Sequence, residues 1–151
     1  FNYGMTGGQA GPTTPFGARA TTAPYGHPEH SFNLPYLLKA AGANYVSRWT
    51  TLHARQIKEE ILYAFEKPGF TFIEILAPCP VGFGKSNNIE DGLEEMKLYR
   101  ERCVLINDGY LNGDELEIDL REDKSIYIGR FVDRDKLPFQ VLQLGEEVHP
   151  G

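Results

Sequence analysis

Residues 45–76 read YVSRWTTLHARQIKEEILYAFEKPGFTFIEIL, two short apolar segments with a helical pattern between them. Residues 45–49 are typical of a short strand, and residues 70–76 have the near-continuous apolar character of a buried strand. Between these strands, residues 51–67 predict an amphipathic helix that ends at Pro68-Gly69. A helix that connects two buried strands favours parallel pairing, and therefore an α/β fold.

Two further helices are predicted on either side of this segment. Asn33 can cap a helix over residues 34–41, and residues 89–103 predict a helix with Leu93 and Met96 facing inward. The apolar residues expected on the inner face of the central helix are Ala54, Ile57, Ile61, Ala64 and Phe65. This alternation predicts a parallel sheet with helices on both faces, in which ligands bind at the carboxyl ends of strands.

The pattern changes beyond residue 105. Apolar and acidic residues alternate over residues 116–120, after a turn signal at Asn112-Gly113, and residues 126–132 predict another short strand. We therefore predict an α/β domain over residues 1–105, followed by a small β-hairpin extension and tail over residues 106–151.

Composition excludes several classes of partner. The 151 residues carry a formal net charge of −6 and no basic stripe, which argues against nucleic acid. No apolar run approaches the length of a membrane span. The two cysteines, Cys79 and Cys103, have no disulfide-like spacing, and the chain has no secretory leader, so we expect a reducing cytoplasm.

The first 31 residues hold six glycines and four prolines and cannot form a continuous helix or a central strand. They begin with the run Tyr3-Gly4-Met5-Thr6-Gly7-Gly8-Gln9, which is followed by Pro12-Thr13-Thr14-Pro15. Closely spaced glycines let successive N–H groups converge on an anion such as a diphosphate. The same glycines are also compatible with a plain turn.

The wider string resembles the thiamine-diphosphate subunit of 2-oxoacid:ferredoxin oxidoreductases, most closely the 2-oxoglutarate and branched-chain members. The resemblance covers roughly residues 1–105 and continues through the segments Ala20-Thr21-Thr22, Pro24-Tyr25-Gly26, Ala40-Ala41-Gly42-Ala43, Tyr45-Val46-Ser47-Arg48-Trp49-Thr50 and residues 70–80. In that family the opening motif lies about midway along the subunit, after a Gly-Asp-Gly segment that holds magnesium. The resemblance therefore implies the C-terminal part of the subunit, with the second half of the thiamine-diphosphate-binding fold.

The resemblance also implies roles for the opening residues. The backbone carbonyl of Asn2 would bind Mg²⁺, a hard ion that prefers oxygen ligands. The residues that would contact the cofactor are Asn2, Tyr3, Gly4, Met5, Thr6, Gly7, Gly8 and Gln9, with Thr6, Gly7, Gly8 and Gln9 forming the cradle around the diphosphate. The position of Met5 is Asn in some pyruvate-specific relatives, so its role transfers less well. No residue of this chain is assigned a catalytic role.

Cys79 is the second candidate, because Pro78 and Pro80 make a rigid turn directly after a strand. Iron–sulfur clusters take four cysteine ligands, which this chain alone does not have. The resemblance implies that Cys79 joins three cysteines from the first half of the subunit to hold a 4Fe-4S cluster. Cys103 is expected to pack in the core.

Three other features of the sequence do not define a site. Gly84-Lys85-Ser86 imitates the end of a phosphate-binding loop, but Cys79 stands where that motif requires its first glycine. His27 and His30 lack further ligands in local spacing, so ordinary loop residues are the better account. Arg48 either pairs with a carboxylate or faces a partner subunit, and the sequence leaves both open.

The family likeness implies an enzyme that decarboxylates a 2-oxoacid oxidatively, with thiamine diphosphate, Mg²⁺ and a 4Fe-4S cluster as cofactors. Coenzyme A, ferredoxin and an alpha subunit would be its partners, and 2-oxoglutarate is the leading substrate. A branched-chain 2-oxoacid or pyruvate is an alternative substrate. A non-catalytic assembly or structural module is the alternative of a different class.

Overall fold

The computed structural model describes residues 1–89, 91–106, 116–120 and 124–137. A four-stranded sheet forms its centre, with helices packed against it. In chain order the elements are α1 (Leu34–Ala40), β1 (Tyr45–Thr50), α2 (Ala54–Glu66), β2 (Thr71–Leu76), α3 (Gly92–Arg102), β3 (Cys103–Ile106) and β4 (Ile126–Asp133), with 3₁₀ turns at Thr51–His53 and Gly84–Asn87. Within the described ranges, no helix is both long enough and apolar enough to cross a bilayer.

Local capping explains where the helices begin. The side chain of Asn33 accepts a hydrogen bond from the N–H of Tyr36 at 3.2 Å, which satisfies a donor at the first turn of α1. The side chain of Asp91 accepts from the N–H groups of Leu93 and Glu94 and caps α3 in the same way. The predicted helix at residues 34–41 and its asparagine cap are therefore confirmed.

The sheet is mixed, with the order β2-β1-β4-β3. Strands β1 and β2 pair in parallel, as do β3 and β4, whereas β1 and β4 are antiparallel. The predicted α/β class is confirmed, and so is the parallel pairing across α2. The expectation of a wholly parallel sheet is corrected by β4, which enters between β1 and β3.

Helices lie on both faces of the sheet, as predicted. Adjacent strand residues point to opposite faces, and Val46 of β1 packs with Leu38 of α1. The neighbouring residue Tyr45 instead places its ring 5.4 Å from the ring of Tyr63 of α2. Helices α1 and α2 are therefore on opposite faces of β1.

The inner face of α2 differs from the prediction. Ile57 packs against the core, but Ile61 is 38% exposed and Phe65 is 82% exposed. The residue of α2 that is buried is Glu60, which accepts a hydrogen bond from the guanidinium of Arg130 on β4 at 2.9 Å. This ion pair with a strand much later in the chain fixes the rotation of α2, which the local apolar pattern does not indicate.

Helix α3 also departs from its predicted pattern, because Leu93 is 66% exposed whereas Glu95 and Tyr99 are buried. Residues 116–120 do not form the expected strand, although Leu116 and Ile118 are buried. The predicted turn at Asn112-Gly113 lies outside the described residues, and the division at residue 105 stays a prediction. Strand β4 confirms the strand predicted at residues 126–132 and lies inside the main sheet.

Candidate functional site

The opening residues form a closed loop between Tyr3 and Gln9. The N–H of Tyr3 donates to the carbonyl of Gln9 at 2.9 Å, and the N–H of Gly8 donates to the carbonyl of Tyr3 at 2.7 Å. Gly7 and Gly8 have φ angles of 115° and 79°, a region that residues with a Cβ rarely adopt. The two glycines are therefore needed to close this loop, which we call the opening loop.

Hydrogen bonding within the opening loop divides its N–H groups into two sets. Those of Gly7 and Gly8 donate to carbonyls of the loop itself. Those of Gly4, Met5 and Thr6 have no backbone acceptor among the described residues, and all three residues are exposed. Three successive N–H groups at an exposed turn are suited to binding an anionic group such as a diphosphate.

The side chains of Thr6 and Gln9 hold each other across the base of the opening loop. The hydroxyl of Thr6 donates to the amide oxygen of Gln9 at 2.7 Å, and the amide nitrogen of Gln9 donates to the carbonyl of Thr6 at 2.8 Å. These side chains therefore brace the loop. Tyr3 is 56% exposed and Met5 is fully exposed.

Asn2 is fixed through its side chain. Its amide oxygen accepts from the hydroxyl of Thr14 at 2.8 Å, and its amide nitrogen donates to the carbonyl of Arg19 at 3.1 Å. Thr14 is completely buried and also receives the N–H of Gly11. No hydrogen bond within the described residues uses the backbone carbonyl of Asn2, so this oxygen is available to a hard cation.

The second predicted residue, Cys79, lies in a tight turn after β2, which we call the Cys79 turn (residues 78–84). Its carbonyl accepts from the N–H groups of Phe83 and Gly84, each at 2.9 Å. Cys79 is exposed, and a Cβ on Gly82 would lie 3.1 Å from its Sγ. An accessible thiol with no side chain crowding it from Gly82 fits a bulky iron–sulfur cluster.

Two buried side chains of α3, Glu95 and Tyr99, form hydrogen bonds that hold the Cys79 turn. The N–H of Cys79 donates to Oε2 of Glu95 at 2.8 Å, and the hydroxyl of Tyr99 donates to Oε1 of Glu95 at 3.0 Å. Burial and the neighbouring Glu95 carboxylate raise the pKa of Tyr99 well above its usual range, so Tyr99 remains a protonated donor. Sequence reasoning missed this pair, although a polar residue four positions before a tyrosine on a helix was the available signal.

The structure brings the opening loop and the Cys79 turn together. A Cβ on Gly8 would lie 3.6 Å from the carbonyl oxygen of Gly82, and the rings of Phe1 and Phe83 are 5.0 Å apart. Asn87 links the Cys79 turn to the segment around Arg19, because its side chain accepts from the N–H of Arg19 and donates to the carbonyls of Arg19 and Phe83. The carbonyl of Arg19 also accepts from the side chain of Asn2, so one hydrogen-bond network connects the Cys79 turn with the residue before the opening loop.

The features set aside in the sequence have ordinary structural partners. The N–H groups of Gly84 and Lys85 donate to the carbonyls of Cys79 and Pro80, so they complete the Cys79 turn. His30 contacts Glu117 at 2.9 Å. Within the described ranges, no three His, Cys, Asp or Glu side chains are grouped closely enough to hold a metal ion.

The remaining two residues named from the sequence are structural. Cys103 packs against the hydrophobic core as predicted, and burial raises the pKa of its thiol to about 11. Arg48 is 1% exposed and its Nε donates to Glu74 at 2.7 Å. Of the two alternatives for Arg48, pairing with a carboxylate is the one observed.

Two cavities flank this region. One, of about 300 Å³, lies beside Phe1 and Thr13 at the carboxyl end of β2 and is lined there by Leu76. The other, of about 290 Å³, lies between the segment around Arg19 and the turn around Asn87. The residues of the opening loop line neither of these two cavities.

Comparison with known proteins shows the class to which this domain belongs. The family described as "Thiamine pyrophosphate enzyme, C-terminal TPP binding domain" matches residues 1–75, which include the whole opening loop. The chain is 39% identical over 150 residues to the 2-oxoglutarate synthase subunit KorB of Methanocaldococcus jannaschii, covering 97% of this chain and 51% of that subunit. It is 46% identical over 102 residues to KorB of Methanothermobacter marburgensis, covering 68% of this chain and 36% of that subunit.

Two further matches extend the comparison. Over 107 residues the chain is 35% identical to the pyruvate synthase subunit PorB of Methanosarcina barkeri, covering 68% of this chain and 36% of that subunit. A solved 2-oxoglutarate:ferredoxin oxidoreductase from Magnetococcus marinus, with 2-oxoglutarate, coenzyme A and succinyl-CoA bound, has the same fold. Its TM-score is 0.70 at 24% identity, and the match covers 97% of this chain and 51% of that one.

The fold and these matches define a thiamine-diphosphate-binding protein class. Within it, the chain belongs to the beta subunits of 2-oxoacid:ferredoxin oxidoreductases, and it is similar to 2-oxoglutarate members among them. The chain spans about half the length of the Methanocaldococcus subunit and less of the other relatives.

Proposed function

We propose that this chain supplies part of a thiamine-diphosphate site and one ligand of a 4Fe-4S cluster in a 2-oxoacid:ferredoxin oxidoreductase. The observation that carries the proposal is the close approach of the opening loop to the Cys79 turn, where a Cβ on Gly8 would lie 3.6 Å from the carbonyl oxygen of Gly82. Oxidation at a cofactor requires a nearby electron acceptor. A cluster held at the Cys79 turn would lie near a cofactor held by the opening loop and would meet this requirement.

The residues of the opening loop would bind and orient the cofactor. The N–H groups of Gly4, Met5 and Thr6 are available to the diphosphate, and the carbonyl of Asn2 is available to Mg²⁺. The remaining predicted residues, Tyr3, Gly7, Gly8 and Gln9, close and brace the loop. Thiamine diphosphate, when bound, supplies the chemistry of decarboxylation, and the chain supplies position and charge.

Cys79 would provide the ligand through which electrons leave the site. Its thiol is exposed and its backbone is held by the N–H groups of Phe83 and Gly84. Three further cysteines must come from elsewhere, because an iron–sulfur cluster takes four. Cys103 is unsuited to this role because burial raises the pKa of its thiol to about 11.

The proposed reaction is the coenzyme A-dependent oxidative decarboxylation of 2-oxoglutarate, with ferredoxin as electron acceptor. The likeness to two 2-oxoglutarate synthase subunits supports this substrate, and the likeness to a pyruvate synthase subunit makes pyruvate the second candidate. The chain would act with an alpha subunit. A cluster held by cysteine thiols favours the cytoplasm as the location, because thiols are kept reduced there.

The test is to purify the complete subunit without oxygen, together with the subunits that it assembles with, and to measure its cofactors and its substrates. Thiamine diphosphate and magnesium near one per site, with about four irons per cluster, are the expected contents. A panel of 2-oxoglutarate, pyruvate and 2-oxoisovalerate with coenzyme A and ferredoxin then ranks the substrates. A preparation that lacks both thiamine diphosphate and iron would instead favour a non-catalytic assembly module.

A pair of variants tests the cluster ligand separately. Cys79→Ala in the complete complex is expected to remove iron and ferredoxin reduction, whereas Cys103→Ala is expected to keep both. Unchanged iron content and unchanged ferredoxin reduction in Cys79→Ala would show that Cys79 is not the ligand.

A further inference from the structure

Glu95 is a buried carboxylate that reaches the backbone of the proposed cluster ligand. It lies on α3 and is 2% exposed. Its Oε2 accepts from the N–H of Cys79 at 2.8 Å, and its Oε1 accepts from the hydroxyl of Tyr99 at 3.0 Å. Each oxygen therefore has its own donor, and one of these donors belongs to Cys79.

Burial of a carboxylate is unfavourable unless its oxygens are hydrogen-bonded, so such a group is tied firmly to its donors. Tyr99 is 1% exposed and holds Glu95 from its own helix. The carboxylate thus cannot follow the Cys79 turn if that turn shifts. It instead fixes the turn relative to α3.

The carbonyl of Cys79 is held by other groups. It accepts the N–H groups of Phe83 and Gly84, which are part of the same turn. Those bonds give the turn its shape but do not anchor it to the rest of the fold. Asn87 anchors the turn at the carbonyl of Phe83, and Glu95 anchors it at Cys79 itself, because it joins the amide of Cys79 to a buried helical residue.

We propose that Glu95 is a positioning residue that aims the thiol of Cys79 at the iron–sulfur cluster. This inference rests on the proposed function, because it requires Cys79 to be a cluster ligand. Groups that orient a metal ligand without touching the metal commonly affect metal affinity by about 10- to 100-fold. A carboxylate beside the ligand also favours the oxidised cluster, since charge and hydrogen bonds near the cluster set its potential.

The test uses the complete subunit in its native complex, purified without oxygen. In Glu95→Ala the amide of Cys79 loses its acceptor, and iron content is expected to fall by about tenfold while bound thiamine diphosphate is retained. In Glu95→Gln the amide oxygen still accepts from Cys79, so iron is expected to stay within about twofold of the wild type. Its cluster midpoint potential should rise because the negative charge is gone.

Glu101→Gln is the matched control, because Glu101 lies on the same helix and is exposed. It should change neither iron content nor potential. Wild-type iron in Glu95→Ala, or equal loss of iron and thiamine diphosphate, would overturn the positioning role. Where Glu95→Ala does not fold, the potential of Glu95→Gln decides alone, and an unchanged potential overturns the proposal.

The Cys79→Ala variant separates the two claims. Retention of all iron in Cys79→Ala means that the ligand assignment is wrong, and the role of Glu95 fails with it. Loss of iron in Cys79→Ala together with wild-type behaviour of both Glu95 variants overturns the role of Glu95 and leaves the proposed function intact.

Discussion

Gly8 and Gly82 lie against each other although they are far apart in the sequence. A Cβ on Gly8 would be 3.6 Å from the carbonyl oxygen of Gly82. Gly8 belongs to the opening loop and Gly82 to the Cys79 turn. The two segments that stand out in the sequence are therefore in contact, and changes at either glycine test whether they form the cofactor site.

Gly8→Ala is expected to weaken both the fold and cofactor binding. Gly8 has a φ of 79°, which is unfavourable for a residue with a Cβ by about 1–2 kcal/mol. The new Cβ makes only ordinary contacts, so backbone strain is the main effect. Because the N–H of Gly8 closes the opening loop onto Tyr3, relief of this strain would open the loop. Urea unfolding and calorimetric titration with thiamine diphosphate and Mg²⁺ measure the two effects.

Gly42→Ala is the control for this strain. Gly42 has a φ of 92° and follows α1, and its added Cβ would meet nothing within 4 Å. It should lower the free energy of unfolding by a similar amount and leave thiamine diphosphate affinity unchanged. Equal loss of affinity in both variants would contradict a specific role for the opening loop.

Gly82→Ala is expected to exclude the cluster while the chain still folds. Gly82 is not among the residues with positive φ, so alanine is tolerated by the backbone. Its Cβ would lie 3.1 Å from Sγ of Cys79, which is closer than usual and crowds the thiol. Iron and sulfide analysis of the native complex, with the electron paramagnetic resonance spectrum of the reduced cluster, measures the loss.

Gly92→Ala provides the comparison for Gly82→Ala. Gly92 is the first residue of α3, and its added Cβ would lie at an ordinary distance of 3.9 Å from Pro80. It should retain full iron content. If Gly82→Ala also retains full iron content, the space beside the thiol is not where the cluster binds.

Local signals account for the parts of the fold that the sequence predicted. The cap at Asn33 and the strands β1 and β2 depend on neighbouring residues alone, and all three were found at the expected positions. The parallel pairing of β1 and β2 follows from the helix between them. The contact of the opening loop with the Cys79 turn joins segments that are far apart in the chain, so no local signal specifies it.

Contacts with distant segments account for what the sequence missed. Glu60 is buried because Arg130 of β4 pairs with it, and no pattern within α2 contains that information. Glu95 faces inward because Cys79 and Tyr99 donate to it, so Leu93 faces solvent. A buried carboxylate depends on its donors, and these become visible only when the chain is folded.

The pair of Arg48 and Glu74 is expected to be essential to the sheet. Their side chains are 2% and 14% exposed, and Nε of Arg48 lies 2.7 Å from Oε2 of Glu74. Glu74→Ala leaves a buried guanidinium without its carboxylate, which is expected to lower the free energy of unfolding by about 3–5 kcal/mol. Urea unfolding of the native protein measures this change.

Glu59→Ala, on the exposed side of α2, is the matched control for Glu74→Ala. It should change the free energy of unfolding by no more than about 0.5 kcal/mol. A loss in Glu74→Ala as small as that of the control would mean that Arg48 finds sufficient compensation in the carbonyl of Leu116, to which its Nη1 donates at 2.9 Å.

Asp133, at the end of β4, joins two residues near the end of α2. It accepts from Nζ of Lys67 at 2.7 Å and from the hydroxyl of Tyr63 at 2.9 Å. Burial opposes ionisation of this carboxyl, but the hydrogen bonds from Lys67 and Tyr63 outweigh it and hold the pKa of Asp133 below its ordinary 3.8. The folded state therefore binds a proton at Asp133 less readily than the unfolded state.

The sign of this shift predicts how Asp133→Asn changes acid stability. The paired carboxylate stabilises the fold above its unfolded pKa near 3.8, and this contribution is lost as the pH falls through the lower folded pKa. Asp133→Asn should therefore have a lower free energy of unfolding than the wild type at neutral pH. It should also lose less of that free energy on acidification, so that plots of the free energy of unfolding against pH converge for the two proteins below about pH 4. Asp135→Asn removes a second partner of Lys67 that is 87% exposed and should change little. Parallel curves for the wild type and Asp133→Asn between pH 7 and pH 3 would mean that the pKa of Asp133 is the same in both states.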